Sequence, residues 1–123
     1  MGFAPNSKHR DYQHRKLAAY YERKGDKEAA RRHLALAFYT AGLEAFWDDK
    51  LSDDRKLPPA RLAFEQAVEL DPGLAHAWFY VGETHRLLND PAAARQAYRR
   101  CLEINPDHGR AMANLSLLDL PAP

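Results

Sequence analysis

Residues that branch at Cβ are scarce: the 123-residue chain has two Val, one Ile and two Thr, against 21 Ala. Such side chains fill pleated sheets, so a substantial sheet is excluded and the expected fold class is all-α. Cysteine is nearly absent too. One Cys excludes an intrachain disulfide and a cysteine-built metal site. No apolar run approaches the roughly 20 residues that a membrane helix requires. The stretch Met1 to Arg10 lacks the apolar core of a secretory signal. The expected compartment is therefore the cytoplasm, with no membrane partner. Neither sign of charge prevails. The 18 Lys and Arg against 17 Asp and Glu leave a net charge of +1, which gives no overall attraction to nucleic acid. What is present, 46% hydrophobic and 28% charged residues, is the balance of a globular domain.

The charge is unevenly spread. Residues 1–33 carry nine Lys/Arg and four Asp/Glu, residues 34–74 four and eight, and residues 75–123 five of each. Solvated helix faces, a basic docking surface, or ends that attract each other would all give this pattern. Gly and Pro punctuation divides the chain into six helices, expected over about 11–24, 27–47, 59–71, 75–88, 91–104 and 108–119. Residues 1–10 read as a flexible lead-in and 11–120 as a single helical domain. Asp90 before Pro91 is a start signal, a capping oxygen followed by Pro at the first helical position. Ser52 to Pro59 reads as the one long irregular connection.

Displaced by 34 residues, the sequence matches itself. Ala60 meets Ala94, Arg61 meets Arg95, Phe64 meets Tyr98, and Pro72 meets Pro106. A helix-turn-helix period of this length resembles the tetratricopeptide repeat. Trp78-x2-Val81-Gly82-x2-His85 stands where the family has W-x2-L-G-x2-Y, and Ala94-x3-Tyr98 stands for A-x3-F. Cys101 takes the usual small position and Pro106 closes the repeat. The resemblance implies a right-handed stack of antiparallel helix pairs, a TPR-like α-solenoid. Residues 35–74 would form a repeat with six extra residues in its turn, 75–108 the best-matched repeat, and 109–120 a terminal capping helix. Gly42 would play the part of Gly82, and Trp78 would fill the core of its pair. Tyr21, Gly25-Asp26 and Ala30 resemble half of a further repeat. No break separates 27–34 from 35–47, so one long helix is expected there, with 11–24 packed on it.

No residues assemble into a recognisable chemistry. The six His include no pair at metal-ligand spacing, and His85 reads as a core residue. Cys101 reads as an inert core thiol. Asp48, Asp49, Asp53 and Asp54 lack the Gly and terminal Glu of a calcium loop. No catalytic, metal or cofactor site is expected, and no enzyme.

The expected function is that of a protein–protein interaction module or small scaffold. The resemblance places a peptide-binding groove on the first helix of each pair: Tyr39, Leu43, Phe46 and Trp47; His76, Phe79, Tyr80, Glu83 and Arg86; Arg110 and Asn114. Two readings stay open for the aromatic stripe of 39–47, contact with a partner or burial under helix 11–24. Glu83 would repel a carboxylate, so the expected ligand is an apolar or aromatic motif with a basic residue. A Phe79→Ala, Tyr80→Ala double variant is expected to lose its partner while staying folded. Leu117 and Leu120 are left on an outer face of the last helix. They make a homo-oligomer the alternative function, with the tail Pro121 to Pro123 as a competing cover. A third reading has the basic N-terminal helix, with Tyr12, Tyr20 and Tyr21, contact RNA. The neutral chain disfavours it.

Overall fold

The computed structural model describes the backbone of residues 5–120 and the side chains of residues 11–120. Six helices follow in order: α1 (Pro5–Arg23), α2 (Lys27–Phe46), α3 (Asp53–Leu70), α4 (Ala75–Leu87), α5 (Pro91–Ile104) and α6 (Gly109–Leu118). No strand occurs among the described residues. The expected lead-in is partly helix, since α1 starts at Pro5, a residue whose fixed φ suits a first helical turn. Residues 1–4 and the tail 121–123 lie outside the described residues.

Two compact units divide at Pro72 and Gly73. In the first, α2 packs against α1 along one side and against α3 along the other. The single helix expected across 27–47 therefore serves two pairs. The α1–α2 turn carries a helix-stop signal. Gly25 takes a left-handed φ of +83°, and its N–H and that of Asp26 bond the carbonyls of Glu22 and Tyr21 at 3.1 and 2.9 Å. Asp26 then caps α2 by accepting from the Ala29 N–H at 3.0 Å.

The second unit repeats that turn chemistry between α4 and α5. Asn89, at φ 65°, takes the left-handed position. The Asn89 and Asp90 N–H groups bond Arg86 and His85 carbonyls at 3.1 and 2.9 Å, and Asp90 caps α5 through the Ala93 N–H at 3.2 Å. α6 packs on α5.

One close approach is shared by the units. A Cβ on Gly42 would lie 2.6 Å from the Phe64 ring, and one on Gly82 would lie 2.6 Å from the Tyr98 ring. Both glycines are thus required by an aromatic ring laid flat on the helix backbone. The rings Tyr39 and Phe64 are 6.0 Å apart, as are Phe79 and Tyr98. So α2 matches α4 at a displacement of 40 residues while α3 matches α5 at 34.

The six extra residues do not form a loop alone. Connection 47–52 is followed by seven helical residues before Ala60, where 88–90 is followed by three before Ala94. Pro58 and Pro59 pointed to a helix start at 59, yet α3 begins at Asp53. Neither Pro can donate to the carbonyl four residues back, which weakens this first stretch. Asp53 and Asp54 favour the helix N-terminus, and Leu57, 1% exposed, anchors it in the core.

Candidate functional site

Three of the matched positions contrast in polarity. In the first unit they are the apolar Leu43, Phe46 and Phe64, with the Phe46 and Phe64 rings 6.3 Å apart. In the second unit Glu83, Arg86 and Tyr98 occupy the same places. The Tyr98 hydroxyl donates to Glu83 Oε1. Arg86 donates to both Glu83 oxygens at 3.3 Å. From α6, Asn114 Nδ2 donates to Oε1 at 2.7 Å. Three helices thus converge on one carboxylate, which is buried but matched in charge and filled with donors. Burial, then the bond to Glu83, pushes the Tyr98 phenol well up, and the bond to Glu83 raises Arg86.

Beside this network lies a second cluster. His108 caps α6: its Nδ1 accepts from the Ala111 N–H at 3.2 Å. Its Nε2 lies 3.1 Å from His76 Nδ1. An accepting Nδ1 leaves the His108 proton on Nε2, so Nε2–H donates to His76, and the His76 proton sits on Nε2. His108 lies 5.0 Å from the Phe79 ring, and the Arg110 guanidinium lies over Phe79 at 4.6 Å. Arg110 and His76 are exposed.

Burial holds His108 below its ordinary value of 6.5, helped by His76 and Arg110. Because the folded value is depressed, its stabilisation is complete above the unfolded value. It is lost as pH falls through 6.5 toward the folded value. Protonation at Nδ1 also removes the cap. Melting temperature is expected to fall between pH 7.5 and 5.5, and His108→Asn, which keeps a capping oxygen but does not titrate, should flatten that fall. An unchanged slope in the variant would assign the loss to another group.

Several expected positions are corrected by burial. Phe79 is 0% exposed, Phe46 6% and Tyr80 8%. These are core rings: Phe79 packs on Tyr80, Tyr98 and His108, and Phe46 on Phe64. The Phe79→Ala, Tyr80→Ala variant would therefore not stay folded as a surface probe should. Trp47, 61% exposed, lies past the end of α2 on its connection. Tyr39 and Leu43 are half-buried. Trp78 is half-buried rather than central, with Arg100 at 5.3 Å from its ring. Leu117 and Leu120 are each 64% exposed. Cys101 is buried, and burial pushes its thiol up to about 11. The Glu83 network and the His108 cap were not expected. Their signals were a Tyr at 98 where 64 has Phe, and a His directly before the last helix.

Helical hairpins that share a buried Gly–aromatic contact and a 34-residue period define a helical-repeat protein. Residues 75–108 match the family model of the tetratricopeptide repeat, and that segment is such a repeat. The chain is 33% identical over 67 residues to the peroxisomal targeting signal receptor of Candida albicans, covering 54% of this chain and 11% of that protein. It is 38% identical over 61 residues to the human PEX5-related protein, covering 50% and 10%. It is 33% identical over 82 residues to the mouse protein O-mannosyl-transferase TMTC1, covering 67% and 8%. The chain thus spans about a tenth of each relative's length. Repeat and relatives together support a protein–protein interaction module. No described helix is long and apolar enough to cross a membrane.

Proposed function

We propose that the chain captures a short acidic segment of another protein on the α4–α6 face of its second unit. The observation that carries this is the engagement of Glu83. Its carboxylate is consumed by Tyr98, Arg86 and Asn114, so it neither selects a basic residue nor repels an acidic one. The charge left over is Arg110, exposed and oriented on Phe79. His76 Nε2–H is a second outward donor, its tautomer fixed through His108 by the α6 backbone. Both groups offer N–H donors to a carboxylate, and Arg110 adds its charge. Similarity to a peroxisomal targeting signal receptor supports a peptide ligand.

Selection from a phage-displayed library of random nonapeptides tests the reading. The expected consensus contains Asp or Glu. Arg110→Glu, at an exposed position, should leave the melting temperature within about 2 °C and weaken the selected peptide about tenfold or more, the cost of one charge-assisted contact. A basic consensus, or affinity untouched by Arg110→Glu, would overturn it.

A further inference from the structure

The outer side of α1 carries a ladder. Tyr12, Lys16, Tyr20 and Lys24 follow at four-residue steps, which places them in one row along the helix and the turn after it. Lys16 Nζ is 5.3 Å from the Tyr12 ring and Lys24 Nζ 5.7 Å from the Tyr20 ring. Tyr12 is 56% exposed and Tyr20 45%. Each ring thus carries a neighbouring cation while about half of the residue stays in water. Arg23 extends the positive face. The ladder lies outside the site proposed above and has no role in it.

The same unit carries a surface of opposite charge built on an equally exposed ring. Connection 47–52 is longer than its counterpart 88–90. Trp47 stands at its start, 61% exposed and fixed edge-on against the buried Phe46 ring at 4.9 Å. Leu51 is 38% exposed, and residues 47–56 carry four Asp against three Lys and Arg, with Asp49, Lys50, Asp54 and Arg55 all exposed. The ion pairs Arg15–Asp11, Arg31–Glu28 and Lys56–Asp53 each join residues three or four apart in one helix. Segment 1–33 has nine Lys and Arg against four Asp and Glu, and segment 34–74 four against eight.

We propose that the α1 ladder is a docking surface whose occupant is the Trp47 connection of a second copy of this chain. The chemistry is matched at each point. A Lys or Arg of the ladder can lie on the face of Trp47, the ring type that attracts cations best. Asp49 and Asp54 meet the remaining ammonium groups, and Tyr12, Tyr20, Trp47 and Leu51 supply rigid apolar area of the kind that dominates interfaces. Complementary charge sets the register and speeds the encounter, so the association is salt-sensitive.

Sedimentation velocity of the full chain from 1 to 100 µM at low salt is expected to show mass above the 14.0 kDa monomer, reverting toward it near 0.5 M salt. Lys16→Glu with Lys24→Glu should weaken association about tenfold or more, and so should Asp49→Lys with Asp54→Lys. Mixing the two variants restores it, because every facing pair then has opposite signs. Trp47→Ala should weaken it while the far-ultraviolet circular dichroism stays unchanged. Leu117→Glu with Leu120→Glu should leave it intact. A monomer at every concentration overturns the proposal. So does association that survives both charge reversals, a mixture that stays monomeric, or loss through the Leu117 and Leu120 variant alone.

Discussion

Phe79→Ala is expected to destabilise the second unit by about 3–5 kcal/mol, the range for emptying the site of a buried aromatic ring. Phe79 is fully enclosed. Its ring contacts Tyr80, Tyr98 and His108 at centroid distances of 5.1, 6.0 and 5.0 Å and carries Arg110 on one face. Removing it opens a cavity among groups that are themselves held by hydrogen bonds and so relax little. Domains of this size are commonly stable by only about 5–15 kcal/mol in total. Urea unfolding followed by circular dichroism should show an early transition for the variant. Hydrogen exchange should assign that transition to residues 75–118. A loss under about 1 kcal/mol would mean that the ring is replaceable by water and is a surface feature after all.

Leu57→Ala carries the second large effect, about 2–5 kcal/mol. The first turns of α3 hold Pro58 and Pro59, so two helical hydrogen bonds are missing there. Leu57 is 1% exposed and is the apolar anchor of that stretch. Without it residues 53–56 should fray, and their amides should exchange faster by a larger factor than those of 64–70. Leu57→Met, which conserves volume, should cost less than about 1.5 kcal/mol. Equal protection of both stretches in Leu57→Ala would show that the acidic N-terminus alone holds the early turns.

The repeat was legible because its marks are steric. Gly42 and Gly82 exist to admit a ring, and Asp26 and Asp90 exist to cap, so residue type reports geometry at those places. The α3 start was misread because a Pro pair is a strong local stop signal, while the burial of Leu57 is a tertiary fact that local reading does not contain. Burial of two groove positions is hidden from local reading for the same reason. Phe79 and Tyr80 sit on the helix side that faces a binding surface in the resemblance, yet both are buried. Glu83 was read as a free charge. Its neutralisation depends on Asn114 from another helix, 31 residues away, and spacing along the chain gives no hint of that pairing.

The continuous α2 has a consequence for how this chain tolerates length change. It packs against both α1 and α3, with Arg31 near its start donating to the Leu70 carbonyl and Gly42 further on pressed on Phe64. Deleting one residue between Ala35 and Gly42 would swing everything beyond it by about 100° around the helix axis and draw it back by about 1.5 Å. Gly42 would then point away from the ring it must admit. A change of about seven residues, two turns to within about 20°, is the shortest that nearly restores the angular phase. The helix therefore works as a keyed shaft that indexes one hairpin to the next. Freedom to add or remove residues lies past Phe46, where this unit carries its longer connection.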